Sequence, residues 1–313
     1  MSPLRRGLEA VRPVLLGAGL GLGFLLLAWA TPRGMWSGLT ALVSLVPLAL
    51  AMVLGGPGAA VLAGVVGVGG TAALLGGSAA FDLVLRAGLP GLALGAALAR
   101  RLSMPMTLIV VAATSLGGLL ALLGTVAPAG TSPFVYLERQ LDSHVAALET
   151  LPGRLGVADD PGWAIDSARV VATTMRVAGP GIIVLGVLLG GAANYVAARL
   201  CLRGAGFRPF AQEAVPDHLV WGVIAGGLLV ASRQPTLVLV GLNVLIVLAP
   251  LYAIQGLAVF RHFFLRVKVP RLLQTLGFAL FAMQPLLLVA VAGVGLSDLW
   301  IDFRKIRQAP TPA

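Results

Sequence analysis

The sequence predicts an all-α protein: a polytopic helical membrane bundle of eight or nine transmembrane helices with an extramembrane amphipathic helical insertion. Of its 313 residues, 58% are hydrophobic and only 11% are charged, whereas soluble domains carry about 25% charged residues. The apolar residues form long segments that approach the ~20 residues needed to cross a bilayer as a helix. Glycine is abundant, at 41 residues, which suits close helix packing in lipid.

Nine apolar segments follow one another along the chain. Residues 58–76 are unusually rich in glycine, and residues 218–232 are short enough to be tilted, re-entrant or stacked on a neighbour, so we predict eight or nine spans. The segments are residues 13–30, 36–54, 58–76, 80–99, 104–126, 178–200, 218–232, 236–260 and 272–296.

The first segment allows two interpretations. Arg5, Arg6 and Arg12 precede an apolar run that ends in Ala-Trp-Ala at 28–30, and this is the pattern of a cleavable signal peptide. The many later spans favour an uncleaved membrane anchor.

The distribution of Lys and Arg predicts the orientation, because these residues collect in cytoplasmic loops. With a cytoplasmic N-terminus, the inner regions hold twelve of them and the outer loops six. We therefore expect a multi-pass protein of a bacterial inner membrane. Nine spans would place the basic tail, Arg304 to Arg307, on the outer side, against the same rule.

Residues 127–177 form the only sizeable segment predicted outside the membrane. One amphipathic helix is indicated by apolar residues at steps of three and four, and a second by Asp160 and Pro161, which suit a helix start. They would lie on the membrane or cap a cavity. The sequence therefore predicts four parts: an N-terminal membrane half at 1–126, the extramembrane helices at 127–177, a C-terminal membrane half at 178–307 and a disordered tail at 308–313. The apolar positions of the first helix are Phe134, Leu137, Leu141, Val145, Leu148 and Leu151.

Pairs of glycines four residues apart mark several helix faces. They indicate either packing inside the bundle or a docking face for another membrane subunit, most plausibly on the first helix. The pairs are Gly17 and Gly21, Gly19 and Gly23, Gly91 and Gly95, and Gly186 and Gly190.

Polar side chains within the spans are the candidate functional residues. Asp82 and Arg86 are four apart and are predicted to form a structural ion pair. Asn243, Gln255 and Gln284 are predicted to lie in the bundle interior. They would either hydrogen-bond neighbouring helices or line a polar ligand site.

Catalysis, cofactors and nucleic acid are not expected. The single cysteine, Cys201, excludes a Cys-rich metal site, and His144, His218 and His262 lie on separate segments. No nucleotide-binding or catalytic motif occurs, and the adjacent Asp217 and His218 lack a third partner. The net charge of +10 follows from basic loops rather than from a nucleic-acid surface. The lipid bilayer is the one expected partner, with other membrane subunits as candidates.

The chain ends in Gly-Leu-Ser-Asp-Leu-Trp-Ile-Asp-Phe-Arg at 295–304. Leu, Trp and Phe at helical spacing predict a short helix bent along the membrane surface, with Trp300 at headgroup level. Asp298 would accept from a loop backbone or an arginine, and Asp298 and Asp302 together would latch the last span to a basic partner. Arg304 and Arg307 would reach lipid phosphates or another helix end. A frayed tail is the alternative.

The C-terminal third carries a family resemblance. Its elements are "FRPFAQEAVPDHLVWG" at 207–222, "NVLIVLAPLYAIQGLAVFRHFFLR" at 243–266 and the ending just described. This succession, over about 200–307, resembles the YybS-like family of uncharacterised bacterial membrane proteins. That family is distantly similar to the substrate-binding S components of energy-coupling-factor transporters. The resemblance implies a solute-binding subunit; the alternative is a membrane scaffold or assembly factor without a substrate.

Overall fold

The computed structural model describes residues 3–30, 40–132, 135–140, 142–143, 146–147, 161–202 and 206–306. These residues form helices joined by turns, and no β-strand occurs among them. The helices are α1 Pro3–Ala30, α2 Val46–Leu75, α3 Gly77–Leu83, α4 Leu89–Ala99, α5 Met104–Val126, α6 Pro161–Cys201, α7 Val220–Ala231, α8 Pro235–Arg266, α9 Arg271–Met283 and α10 Pro285–Ile301. A π-helical turn, Val84–Gly88, joins α3 to α4.

Six spans in the described part of the chain are long and apolar enough to cross a membrane. A seventh arises if α9 and α10, which meet at an angle of 105°, count as one broken span. The all-helical, multi-pass architecture is therefore confirmed, but the predicted eight or nine spans are not. Helix α7 has only 12 residues, which is short of the ~20 that a span needs.

Helix α2 contains the boundary between two of the predicted segments. Gly56 has a φ of +78°, a conformation that glycine adopts without steric cost. A Cβ placed on Gly64 would lie 4.0 Å from Leu48 Cδ2, although a straight helix would separate these positions by about 24 Å. Helix α2 therefore folds back at Gly56, and Pro57 begins the second arm.

Helix α6 differs from the prediction for residues 127–177. It begins at Pro161, as the sequence indicates, but continues for 41 residues to Cys201. No helix break separates the predicted insertion from the span at 178–200, so an insertion of separate amphipathic helices is not confirmed. Residues 135–140 are helical, and five of the six apolar positions that predict the first amphipathic helix lie outside the described residues.

The chain divides into two compact units. Unit 1 comprises Met1–Gly118, Val187–Asp217 and Ala249–Ala313, and unit 2 comprises Leu119–Gly186 and His218–Leu248. In unit 1, α1 packs along the second arm of α2, where a Cβ on Gly21 would lie 2.7 Å from Val66 Cβ. In unit 2, α7 and α8 pack closely, because a Cβ on Gly241 would lie 2.6 Å from the Gly226 carbonyl oxygen.

The predicted glycine faces divide into two kinds. Gly17 and Gly21 face α2, and Gly91 and Gly95 also face α2, so these pairs serve packing within unit 1. A Cβ on Gly19, Gly23, Gly186 or Gly190 would meet none of the described residues within 4 Å.

Candidate functional site

The loop between α6 and α7, residues 206–217, is the centre of a buried polar cluster in unit 1. It contains two short 3-10 turns, Phe210–Gln212 and Asp217–Leu219. Ala211, Glu213 and Val215 are buried, and Glu213 is only 1% exposed. A buried loop must find partners for its backbone polar groups, and the partners of this loop come from four helices or their ends.

The first partner is Arg304, just beyond α10. Asp302 ends the helix in a left-handed conformation, with φ of 47°, and this turn brings Arg304 back toward Asp298. Arg304 Nη2 donates to Asp298 Oδ2 at 2.7 Å, and Nε donates to the same oxygen at 3.2 Å. Arg304 Nη1 donates to the carbonyl oxygens of Ala211 at 2.9 Å and Glu213 at 2.8 Å.

Gln255, midway along α8, is the second partner. It is fully buried, and its Oε1 accepts from the Val215 backbone N–H at 2.8 Å. Its Nε2 donates to Asp298 Oδ2 at 3.2 Å. Gln255 therefore links α8 both to the loop and to the ion pair at the end of α10.

Two glycines next to these polar residues bring α8 and α10 together. A Cβ on Gly256 would clash with the Val291 carbonyl, and a Cβ on Gly295 would clash with the Tyr252 carbonyl. The two backbones are therefore in direct contact, and this contact places Gln255 within hydrogen-bonding distance of Asp298.

The Glu213 side chain forms the other half of the cluster. Its Oε2 accepts from the Met104 backbone N–H at 2.6 Å, which is one of the free donors at the start of α5. Tyr195 donates to Oε1 at 3.5 Å, and Arg199 Nη1 lies 3.6 Å from the same oxygen. Burial raises the pKa of the Glu213 carboxyl above its ordinary value, against the opposing effects of the Met104 N–H and Arg199.

Arg199 also holds the start of the loop. Its guanidinium carbon lies 5.0 Å from the centre of the Phe207 ring, a distance at which cation–π attraction operates. Its Nη2 donates to the Arg208 carbonyl at 3.0 Å. The loop is therefore fixed at both ends as well as at its centre.

The cluster gathers the start of α5, the end of α6 and the end of α10 against one loop. Arg304 therefore lies at the same end of unit 1 as the turn at 100–103. The side of the membrane on which the C-terminal basic residues lie, which nine spans would place opposite that turn, stays a prediction.

The three interior amides do not form one site. Asn243 belongs to unit 2, where its Oδ1 accepts from the Gly181 N–H at 2.6 Å and its Nδ2 donates to the carbonyls of Val177 at 2.9 Å and Leu239 at 2.8 Å. Gln255 serves the loop cluster. Gln284 is exposed at the break between α9 and α10, which differs from the interior position we expected.

The remaining predicted residues have clear places. Arg86 Nε donates to Asp82 Oδ1 at 2.5 Å, and this pair is partly exposed.

The C-terminal motif differs from the prediction. Helix α10 continues to Ile301, so no separate surface helix follows Gly295. Trp300 is exposed, and Asp302 Oδ1 accepts from the Ile306 N–H at 3.0 Å. Arg304 is buried rather than directed at lipid, and Arg307 lies outside the described residues.

Sequence reasoning missed Glu213, Tyr195, Arg199 and Asn194. Asn194 accepts from the Leu45 N–H at 2.9 Å and donates to the Ala41 carbonyl at 3.0 Å, so it fastens α6 to the residues before α2. One feature of the sequence could have identified Glu213. It is the single acid between Pro209 and Pro216, in a stretch otherwise rich in apolar residues. Among the described residues, no group of three or more His, Cys, Asp and Glu could hold a metal ion.

Long apolar helices, glycine-mediated backbone contacts and buried polar side chains bonded within the chain define an integral, multi-pass membrane protein. The chain belongs to the DUF2232 family of predicted membrane proteins, whose model matches residues 24–299. No curated protein matches the chain. No solved structure matches it either.

Proposed function

We propose that this protein is a non-enzymatic scaffold or assembly factor of the bacterial inner membrane. One observation carries the proposal: two of the three amides predicted to line a solute site are used to hold helices and a loop together. Asn243 bridges α6 and α8, and Gln255 joins α8 to the loop and to α10. A bundle whose interior amides are engaged in this way is suited to presenting fixed surfaces.

The open glycine face of α1 is the surface we propose for a second membrane subunit. Gly19 and Gly23 are four residues apart, and in the described part of the chain nothing lies within 4 Å of a Cβ built on either. Small residues at this spacing allow another helix to approach closely. Lipid is the other proposed partner, because the exposed apolar side chains would contact it.

We propose a cytoplasmic N-terminus. The excess of Lys and Arg supports it, and so does the position of Arg304 at the same end of unit 1 as Arg100, Arg101 and Arg208. A Cys201→Ser, Ser143→Cys variant tests the orientation, since Ser143 is exposed. The cysteine should react with a membrane-impermeant maleimide in intact cells; reaction only after the membrane is opened would contradict it.

The alternative is the transporter-type subunit, similar to S components, that the family resemblance implies. Native mass spectrometry of the protein in mild detergent separates the two functions. A scaffold is expected to retain lipid or a protein subunit but no stoichiometric polar solute. A polar small molecule bound one to one, and lost in an Asn243→Ala variant that still folds, would replace the scaffold proposal with the transporter function.

A further inference from the structure

An open groove of about 370 Å³ lies beside the loop 206–217, where α4 turns into α5. This volume falls within the range of about 300–1,000 Å³ that is typical of ligand pockets. The described residues that line the groove include Arg100, Arg101 and Arg208, with Ser103 and Gln212 as neutral hydrogen-bonding groups. No Asp or Glu occurs among the described residues that line the groove.

The groove is strongly positive because arginine remains charged at any physiological pH. The Arg100 and Arg208 guanidinium groups make no hydrogen bond or ion pair with the described residues, and both residues are exposed. Glu213, an acid of the same loop, has its carboxylate buried against Met104, Tyr195 and Arg199. Among the described residues its ion pair is with Arg199, and Arg208 attracts it without forming an ion pair.

Arg101 occupies a backbone position where glycine is the usual residue. Its φ is 54°, and the bonds Arg101 N–H to Leu98 O and Leu102 N–H to Ala97 O, both 3.0 Å, form the glycine-favouring turn that ends many helices. A side chain with a Cβ costs about 1 kcal/mol in this conformation. The turn therefore keeps an arginine at the groove at the expense of backbone strain.

The groove also lies where a span ends, which is the level of lipid headgroups. Ala99 and Met104 are the adjoining ends of two candidate spans. Met106, which also lines the groove, is 37% exposed and offers an apolar contact on the membrane side. Basic pockets at the ends of spans suit anionic lipid headgroups.

We propose that this groove binds a phosphate group through Arg100, Arg101 and Arg208, supplied either by an anionic phospholipid headgroup or by a soluble phosphorylated molecule. Arginine suits this ligand because its planar guanidinium can donate two parallel hydrogen bonds to phosphate oxygens. The Ser103 hydroxyl and the Gln212 amide can add donors. This site goes beyond the proposed scaffold function and does not require a protein partner.

The test uses the full chain in mild detergent, with binding measured by native mass spectrometry. Phosphatidylglycerol is compared with phosphatidylcholine of the same acyl chains, and inorganic pyrophosphate is the soluble probe. We expect the wild-type protein to retain at least one of the two anionic probes in preference to phosphatidylcholine. If pyrophosphate binds and displaces phosphatidylglycerol, the phosphate source is soluble; if phosphatidylglycerol binds without competition, the source is lipid.

The decisive variant is Arg101→Gly, because it removes the charge and relieves the backbone strain together. Binding should fall about fivefold for one arginine and by about a hundredfold when Arg100→Gln and Arg208→Gln are added, while the melting temperature stays equal or rises. Arg233→Gly is the matched control, since Arg233 has a φ of 58° outside the groove. Unchanged binding in the triple variant, an equal loss in the control, or no preference for either anionic probe would overturn the proposal.

Discussion

Asp298 and Arg304 illustrate how two charges are accommodated in an apolar bundle. Their side chains are almost fully buried and lie 2.7 Å apart, and the remaining Arg304 donors reach the loop carbonyls. Removing one member of a buried pair leaves the other charge without compensation, which costs about 3–5 kcal/mol. The pair therefore fixes one arrangement of the loop and the end of α10.

An Asp298→Asn variant should be destabilised by about 3–5 kcal/mol, measured as a lower melting temperature in detergent. Asp302→Asn is the matched control, because Asp302 lies in the same motif but is only half-buried and its side chain caps one N–H. It should cost no more than about 1 kcal/mol. Equal losses in the two variants would mean that both aspartates act as the latch.

Glu213 should make stability depend on pH. Its folded-state pKa is raised above the ordinary 4.5, chiefly by burial, so the folded chain binds this proton more tightly than the unfolded chain. Stability should therefore fall as pH rises from about 4.5 through the raised pKa, by about 1.4 kcal/mol for each unit of the shift. Glu213→Gln cannot ionise and should flatten this dependence in melting curves between about pH 4 and 7. An identical slope in the variant would contradict the assignment.

At the residue scale, the sequence identified polar side chains better than their partners. The C-terminal motif predicts that Asp298 accepts from a loop backbone or an arginine. It cannot show that Arg304 returns to Asp298, because the turn depends on the left-handed conformation of Asp302. Gln255 was a candidate because an amide is costly in lipid. Glu213 was missed because its partners, Met104 and Arg199, are distant in the sequence.

At the scale of elements, the contact between α8 and α10 is the most specific feature. Gly256→Ala or Gly295→Ala would place a methyl group against the backbone of the opposite helix. Overpacking of this kind costs about 1–3 kcal/mol, so the melting temperature should fall. Gly293→Ala is the control, because no atom of the described ranges lies within 4 Å of its Cβ position. A loss in the control as large as that at Gly295 would show that helix propensity or lipid exposure, rather than this contact, is responsible.

Element boundaries were predictable where the chain itself carries the signal. Pro161 begins α6, and α5 covers Met104–Val126, the range predicted from its apolar run. The continuous α6 could not be foreseen, because residues 161–177 are more polar than a span and suggested a separate surface helix. The break at Gln284 was equally hidden, since the apolar run continues through Pro285.

At the scale of the whole molecule, the low charge content and the long apolar segments were sufficient to predict a helical membrane protein. They were insufficient to place the C-terminus, because counting spans assumes that every apolar segment crosses once. Helix α7 is too short for that assumption, and α9 and α10 meet at 105°. Within unit 1, Arg304 contacts the loop 206–217, which predicts that the C-terminus and this loop share one side of the membrane.

The central claim is that the end of the chain folds against the loop 206–217, so that both face the same side of the membrane. Side-specific cysteine labelling tests it with Gln212→Cys and Lys305→Cys, each in a Cys201→Ser background, since both positions are exposed. A membrane-impermeant maleimide should label the two cysteines under the same condition. Either both react in intact cells, or both react only after the membrane is opened. Labelling of the two cysteines from opposite sides would contradict the claim and favour a last span that carries the tail across the membrane.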